Sequence, residues 1–549
     1  MNDVGAGSLA NRDAAAFFAA EWPLIKLFHY GADWLVYDAK PHFAFIVSTD
    51  EMNLLMDFLG GKLETDIFNT CSSQSDTCSS QSDAKVIKNL LAKFSELVNN
   101  GVFIKGPVVE ISPVDRTAIK EQLAYYDANI LLRKFCLEVT EDCNYRCTYC
   151  KRTIANGYRP HSKNKLSRQN AYKGIDYYFK KYTAFFQRLS REKQELLLQI
   201  VPPGISWYGG EPFLNFELIQ QTADYFKQLP WEQYSIKTSD LRFASNTNLS
   251  IMNGEILTFL VDNRVSLFAS LDGPAAEHDK CRVFENGAGT FHTAYRNLMK
   301  IKQFDETYFR QNVSIFGVYT DQHDYDQCLN FTRNIGALLC QHFPAEYTGA
   351  FVSRVAETNA SFSDSLEQRL LNFNDKLSAD SQNSEIQIED YSNLFPFAKL
   401  NYDQPAGKNS LQIQLTCPMG FDNLMVAANG DFLICHKVDA SMPIGHCDSG
   451  LDFEKLTDLN QRYNSLINNH RCKNCWNVNF CSVCAASRMT GETFVNPTPQ
   501  ECDYFQLRTS YDFLCFIPLA LDYPELLQKI FDYRNDRKSF VGVIDINDF

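Results

Sequence analysis

The chain has 549 residues, of which 45% are hydrophobic and 21% charged, and its formal net charge at pH 7 is −14. That length points to about three or four domains of ordinary globular composition. The negative charge argues against a nucleic-acid partner, whose affinity is carried largely by Lys and Arg. There is no apolar run of about 18 residues to cross a membrane. Residues 1–13 are small and polar, with neither the basic nor the apolar region of a signal peptide. A cytoplasmic protein is therefore expected, with no membrane and no nucleic acid among its partners. Eighteen cysteines in such a compartment are not a disulfide framework, because thiols there stay reduced. They crowd at 143–150 and 417–502, and such clusters point to metal sites.

Residues 1–20 read as a disordered or helical lead-in. Residues 24–30, 34–37 and 43–47 read as three short strands, with a turn at Gly31-Ala32-Asp33. Ser48 stands at a helix N-cap position ahead of Leu54, Leu55 and Phe58, and Gly60-Gly61 ends that helix. A second helix over 84–99 puts Val86, Leu90, Leu91, Phe94 and Leu97 on one stripe. Residues 101–104 read as a short strand. Between the helices lies a tandem repeat, 70–76 then 77–83, rich in Ser, Gln and Asp. It reads as a solvated loop, and its Cys71 and Cys78 are given no role.

Residues 135–140 read as a buried strand entering a loop. The loop carries Cys143, Cys147 and Cys150 in the spacing C-x3-C-x2-C, with Tyr149 before the last. Three thiolates on one loop can hold three irons of a 4Fe–4S cluster, which takes cysteine ligands, and leave the fourth iron open to a small molecule. The alternatives are a zinc knuckle or three unrelated buried cysteines. From 131 to about 320 strands alternate with helices, as in a parallel α/β barrel: strands at 205–208, 241–244, 265–270 and 313–318, and a helix over 167–186. Active sites of such barrels lie at the C-terminal strand ends. At those ends stand Gly209-Gly210-Glu211-Pro212, Ser245-Asn246-Thr247-Asn248 and Ser270-Leu271-Asp272-Gly273-Pro274, the last followed by His278, Asp279 and Arg282. The glycines are expected to let the backbone approach a ligand closely. Residues 321–414 are helical and polar in pattern, with a linker near 380–389, and Cys328 and Cys340 look structural.

The second cluster runs Cys417, x12, Gly430, x4, Cys435, then Cys472-x2-Cys475, Cys481-x2-Cys484 and Cys502. Paired C-x2-C is also zinc-ribbon spacing, which stands as the alternative to iron. Residues 511–549 suit an amphipathic helix near 524–533 and a strand at 540–544, without visible chemistry.

The cysteine loop, the Gly-Gly-Glu-Pro turn and the Ser-Leu-Asp-Gly-Pro run resemble the radical S-adenosylmethionine (SAM) enzymes. The resemblance implies that the open iron binds SAM and that its reductive cleavage gives a 5′-deoxyadenosyl radical, which takes a hydrogen atom from the substrate. It assigns the first cluster to Cys143, Cys147 and Cys150. It gives contacts to SAM to Tyr149, Gly209, Gly210, Glu211, Pro212, Ser245, Asn246, Ser270, Asp272 and Arg282, with Glu211 and nearby carbonyls on the SAM amino group. The second cysteine group resembles a SPASM domain, which holds two auxiliary 4Fe–4S clusters. This implies Cys472, Cys475, Cys481 and Cys502 on the outer cluster and Cys417, Cys435 and Cys484 on the inner one. One spacing departs from the pattern, x2 rather than x3 between Cys481 and Cys484. The inner cluster then lacks a fourth thiolate. Cys447 is the spare nearest in sequence, and the favoured alternative is an iron left open for substrate sulfur.

The three strands and following helices resemble a precursor-peptide recognition domain of the PqqD type, which adds a peptide as a strand to a sheet edge. The alternative is a plain cap on the barrel. The expected fold class is α/β: a partial (β/α)6 radical-SAM barrel with an N-terminal winged-helix-like α+β domain and a C-terminal Cys-rich SPASM domain. The expected boundaries are a lead-in at 1–20, recognition domain 21–130, barrel 131–325, helical bridge 326–410, SPASM domain 411–510 and a C-terminal helix and strand at 511–549. The implied function is hydrogen abstraction from a ribosomally made precursor peptide, followed by thioether (C–S) or C–C cross-linking. The implied cofactors are SAM and three 4Fe–4S clusters, with flavodoxin or ferredoxin as electron donor. The rival is a sulfatase-maturing, formylglycine-forming enzyme. That family places an aspartate base just after the cysteine of the Gly-x4-Cys element, where this chain has His436. A third possibility is a zinc-dependent scaffold.

Overall fold

A computed structural model describes residues 25–30, 32–39, 43–59, 81–99, 115–150, 152, 161–320, 322–344, 373, 377–378, 418–438, 441–467, 470–478, 480–481, 484–491 and 493–529. The lead-in, Cys71 and Cys78, the strand expected at 101–104, most of the bridge, Cys417 and the strand expected at 540–544 lie outside these residues.

The N-terminal module opens with an antiparallel meander of β1 (Ile25–Tyr30), β2 (Asp33–Asp38) and β3 (Phe43–Ser48), with β2 central. Helices α1 (Thr49–Leu59) and α2 (Gln81–Asn99) follow. Ser48 and Glu51 close a capping box: Glu51 N–H donates to Ser48 Oγ at 3.3 Å and Ser48 N–H to Glu51 Oε2 at 2.9 Å. Helix α2 begins three residues before the expected start, inside the tail of the repeat. Period-two alternation divides the meander between two cores. Val36 and Val47 pack with Leu55, Leu91 and Phe94 of α1 and α2. Phe28, Leu35, Tyr37 and Ala44 pack with Trp476, Phe480, Phe513 and Ile517 from the C-terminal part of the chain. The sheet is therefore covered on both faces, which explains the unbroken burial of β2 from Leu35 to Asp38.

Helix α3 (Arg116–Asn129) leads into a ten-stranded sheet. Its centre is six parallel strands in chain order: β4 (Lys134–Thr140), β5 (Gly204–Gly209), β6 (Arg242–Thr247), β7 (Ser266–Ser270), β8 (Val313–Tyr319) and β9 (Leu339–Pro344). Helices α4 (Arg168–Phe186), α5 (Arg191–Ile200), α6 (Phe216–Gln228), α7 (Gly254–Asp262), α8 (Phe291–Phe304), α9 (Glu306–Asn312) and α10 (Tyr325–Arg333) fill the connections. Along β5, β6 and β7 buried and half-buried residues alternate. The buried set meets helices: Trp207 Nε1–H donates to Thr222 Oγ1 of α6 at 2.9 Å, and the Phe226 ring of α6 lies 6.0 Å from that of Phe243. Register puts the half-buried set, Ser206, Tyr208, Asn246, Phe268 and Ser270, on the opposite face.

Two features depart from the sequence reading. The sixth parallel strand, β9, lies beyond residue 325, in what reads as the helical bridge. Six residues that include Gln341, His342 and Pro344 carry too little apolar pattern to announce an edge strand. On the other side of β4 the sheet continues through β10 (Asn423–Val426), parallel to β4, and then β11 (Asp431–Leu433), β12 (Gly445–His446) and β13 (Gly450–Leu451), all antiparallel. The first part of the Cys-rich region thus shares the sheet of the parallel strands. Helix α11 (Phe453–Ile467) lies beside α3, and helix α12 (Pro499–Leu521) contacts β1. Among the described residues, no helix is long and apolar enough to cross a membrane.

Candidate active site

The cysteine loop leaves the C-terminal end of β4 and is pinned by its neighbours. Gly210 N–H donates to Thr140 O at 3.0 Å and Glu211 N–H to Asp142 O at 2.8 Å. Arg146 N–H donates to Val283 O at 2.7 Å and Thr148 N–H to Cys281 O at 2.9 Å. The Gly209-Gly210 pair is required by this packing. A Cβ on Gly209, whose φ is +150°, would lie 2.1 Å from Thr140 O, and one on Gly210 would lie 2.1 Å from Asp142 O. The glycines admit the backbone of the cysteine loop at this point.

Cys143, Cys147 and Cys150 stand together with Tyr145, Tyr149 and Cys281 in a small core. Burial pushes the Cys147 thiol up to about 12 and the Cys143 thiol up to about 11; the other two loop thiols raise Cys147 further, while Arg282 opposes the shift. Three thiols on one loop, with burial opposing the ionisation of Cys143 and Cys147, suit a cationic metal cluster that takes them as thiolates. Cys281 shares this core, but its thiol hydrogen-bonds Thr148 and Thr320. The donor set therefore fits a cluster with one iron left open. Cys143 Sγ also accepts from Asn248 Nδ2 at 3.6 Å.

Beside the loop lies a buried latch. Asp272 Oδ2 accepts from Tyr149 Oη at 2.9 Å and Arg282 Nε at 2.8 Å, and Asp272 Oδ1 accepts from Val318 N–H at 2.7 Å. Arg282 lies 5.4 Å from the centroid of the Tyr149 ring. Burial would raise the Asp272 carboxyl, but Arg282 and these bonds outweigh it and hold it below the usual carboxylate range. Next to it, His278 Nδ1 accepts from Asp272 N–H at 3.2 Å. Thr290 spends its own proton on Arg282 O, so His278 Nε2 must donate to Thr290 Oγ1, at 3.1 Å. This is the neutral tautomer, in keeping with burial that moves His278 down to about 4.

Glu211 is fully buried. Its carboxylate accepts from Phe213 N–H at 3.2 Å, Thr247 Oγ1 at 2.9 Å and Asn248 N–H at 2.6 Å, tying the ends of β5 and β6 together. Burial raises it to about 7 against the pull of those three donors. Pro212 opens the short helical turn that Glu211 caps. Of the nominated polar contacts, Asn246 and Ser270 share the half-buried face, whereas Ser245 lies on the helix-facing side with its Oγ donating to Asn246 O at 3.1 Å. Residues missed in the sequence join on the half-buried face. The Tyr208 ring lies 4.8 Å from that of His436. Glu138, level with Tyr208, pairs with Arg152 and accepts from Ala428 N–H at 3.2 Å. An acid inside the apolar run 135–139 was the readable signal.

In the C-terminal part, Cys472 and Cys502 both influence the Cys475 thiol, which burial raises to about 11. Cys484 caps the short helix Ala485–Arg488, and Cys502 lies in the first turn of α12. Cys435 follows β11 on the loop that carries His436 to Tyr208. Cys447 stands elsewhere. Its N–H donates to Gly430 O at 2.9 Å, and its thiol lies 3.8 Å from His446 Nδ1, within the influence of Asp448 and of Lys173 on α4. Cys447 thus stands beside Gly430 and α4. His446, Cys447 and Asp448 bring their ligand atoms within 4.8 Å of one another, but Asp448 is engaged by Lys173.

No family model matches the chain. Over 175 residues it is 25% identical to the uncharacterized protein MJ0907 of Methanocaldococcus jannaschii, covering 32% of this chain and 50% of that protein. Over 294 residues it is 24% identical to the radical SAM cyclopropyl synthase TigE of Paramaledivibacter caminithermalis, covering 51% of this chain and 54% of that enzyme. The chain thus spans about half the length of the curated relatives it matches. Among solved structures, anSMEcpe with bound AdoMet and Cp18Cys peptide gives a TM-score of 0.48 at 15% identity, over 73% of this chain and 99% of that one. SuiB of Streptococcus suis bound to precursor peptide SuiA gives 0.38 at 12% identity, over 87% of this chain and 99% of that one.

Proposed function

We propose that this protein is a radical SAM peptide maturase: it takes a hydrogen atom from a ribosomally made precursor peptide and closes a thioether or C–C cross-link. The observation that carries the reading is the three-thiol loop of Cys143, Cys147 and Cys150, lodged at a parallel-strand end against Gly209-Gly210-Glu211. The sequence likeness to a radical SAM cyclopropyl synthase over half the chain supports the class. Once loaded, the cluster and SAM supply the 5′-deoxyadenosyl radical. The protein's own part is positioning. Cys143, Cys147 and Cys150 hold three irons, and the Asp272–Arg282–Tyr149 latch keeps their loop against the strand ends. Glu211 with the carbonyls around Gly209 and Gly210 takes the amino group of SAM, while Asn246 and Ser270 line the half-buried face beside it. His436, against Tyr208 on that face, would receive the proton released when the bond closes, and the auxiliary clusters would take the electron left over. Cys472, Cys475, Cys481 and Cys502 hold an outer auxiliary cluster, and Cys417, Cys435 and Cys484 an inner one whose remaining iron is open to substrate sulfur. The leader of the precursor adds to an edge strand of the meander, β1 or β3. Flavodoxin or ferredoxin supplies electrons.

The test uses anaerobic, iron-loaded protein with SAM, dithionite and the short peptide encoded beside its gene. The expected result is 5′-deoxyadenosine together with a peptide lighter by two hydrogen atoms. Colourless protein that binds zinc and makes no 5′-deoxyadenosine would overturn the reading.

A further inference from the structure

Outside the barrel site, one iron-ligand candidate is joined to the N-terminal sheet by an unbroken series of contacts. Gln506, on α12, donates from Nε2 to Cys475 Sγ at 3.8 Å. Its Oε1 accepts from Trp476 Nε1–H at 3.0 Å. An indole N–H can only donate, so the Gln506 atom facing it is the oxygen and the amide must turn its NH2 toward sulfur. Trp476, in turn, is nearly buried and held by β1 and β2. Its ring stands edge-on to Phe28 at 6.1 Å and to Tyr37 at 6.4 Å, and Lys26 Nζ lies 5.4 Å from its centroid. Phe513, on the same stripe of α12 as Gln506, stacks on Phe28 at 4.8 Å.

We infer that Gln506 tunes the reduction potential of the auxiliary cluster held by Cys475, and that Trp476, seated against the N-terminal sheet, is the positioning residue that keeps Gln506 in this role. The inference rests on the reading that Cys475 is an iron ligand. An N–H donated to a ligating sulfur withdraws electron density and favours the reduced, more negative cluster, so hydrogen bonds to sulfur are one of the protein's controls of potential. The same sheet is the proposed seat of the peptide leader. It also seats Trp476 on its face, so the proposed leader site and this cluster share one piece of structure.

The experiment is an EPR-monitored redox titration of the anaerobic, iron-loaded full chain, with iron counted for each protein. In Gln506→Leu, a side chain of similar size that cannot donate, one auxiliary signal is expected to move to lower potential with the iron content unchanged. Trp476→Phe keeps an aromatic ring against the sheet but loses the N–H that holds the Gln506 amide, and is expected to shift the same signal in the same direction by less. If neither variant moves any potential, the inference is overturned. It is equally overturned if Gln506→Leu sheds iron while Trp476→Phe leaves every potential in place. Cys475→Ala separates the two readings: undiminished iron in that variant, which has no donor atom there, removes Cys475 from the ligand set, and the error then lies in the cluster assignment.

Discussion

The two cysteine groups are built in different ways. The loop of Cys143, Cys147 and Cys150 hangs from one strand end and is gripped by the ends of β5, β6 and β7, through backbone bonds, the Asn248 amide and the bond of Tyr149 to the Asp272–Arg282 latch. Its shape is held by contacts within the protein. Cys472, Cys475, Cys484 and Cys502 instead stand on turns, short helices and the first turn of α12. Their frame comes from two cores, one shared with the large sheet and one with the N-terminal meander. A site without its own regular frame draws more of its folding free energy from bound metal. Removing iron is therefore expected to loosen the second region more than the first.

The comparison breaks most easily at the latch. Arg282→Met leaves Asp272 as an unpaired buried carboxylate, and breaking a buried pair in this way costs about 3–5 kcal/mol. A fall of that size in urea stability is expected and, on the proposed function, loss of the signal of the cluster on Cys143, Cys147 and Cys150 with iron retained at the second cysteine group. Replacing both partners, Asp272→Asn with Arg282→Met, is expected to cost less than Arg282→Met alone.

Gly210→Ala would push a methyl group into Asp142 O and Cys143 Cβ, 2.1 and 2.9 Å away. It is expected to shift or abolish the EPR signal of the first cluster while the auxiliary signals persist. Gly254→Ala, with nothing within 4 Å of the new methyl, serves as the control and is expected to change neither.

A smaller effect is expected at Glu211 and depends on pH. Its folded value, about 7, lies above its ordinary 4.5. The folded state therefore holds this proton more tightly than the unfolded chain. The associated stability, about 3 kcal/mol, is fully present below pH 4.5 and is lost as pH rises through 7. Thr247→Val removes a donor to the charged form, worth about 1.5–3 kcal/mol. The variant is expected to differ more from the parent at pH 8 than at pH 5 when urea midpoints are compared. Equal differences at both values would mean that the hydroxyl serves only Leu249 N–H, which donates to it at 3.0 Å.

Much of this was legible in the sequence because parallel strands announce themselves by apolar runs that end in glycine and polar residues. The strands that form β4 to β8 and the helix that begins after Ser167 stand close to where the pattern puts them. The short strands β9 to β13 were not legible, since two to six residues give too little alternation to read. Helix α12 offered a signal, the box of Thr498 and Glu501 with Pro499 between them, that the cysteine pattern obscured. The site residues were legible as types, and their partners were not. Asp272 reads in the sequence as a contact for SAM, and nothing there announces the bonds its oxygens accept from Tyr149, Arg282 and Val318, of which the Tyr149 bond spans 123 residues. Spacing along a chain carries no trace of such pairings.

The most direct measurement of the central reading replaces Cys143, Cys147 and Cys150 together with Ala and assays 5′-deoxyadenosine under dithionite in the anaerobic full chain, with iron counted in the same sample. No 5′-deoxyadenosine, alongside retained auxiliary iron, is the expected result. Continued formation of 5′-deoxyadenosine by the triple variant would contradict it.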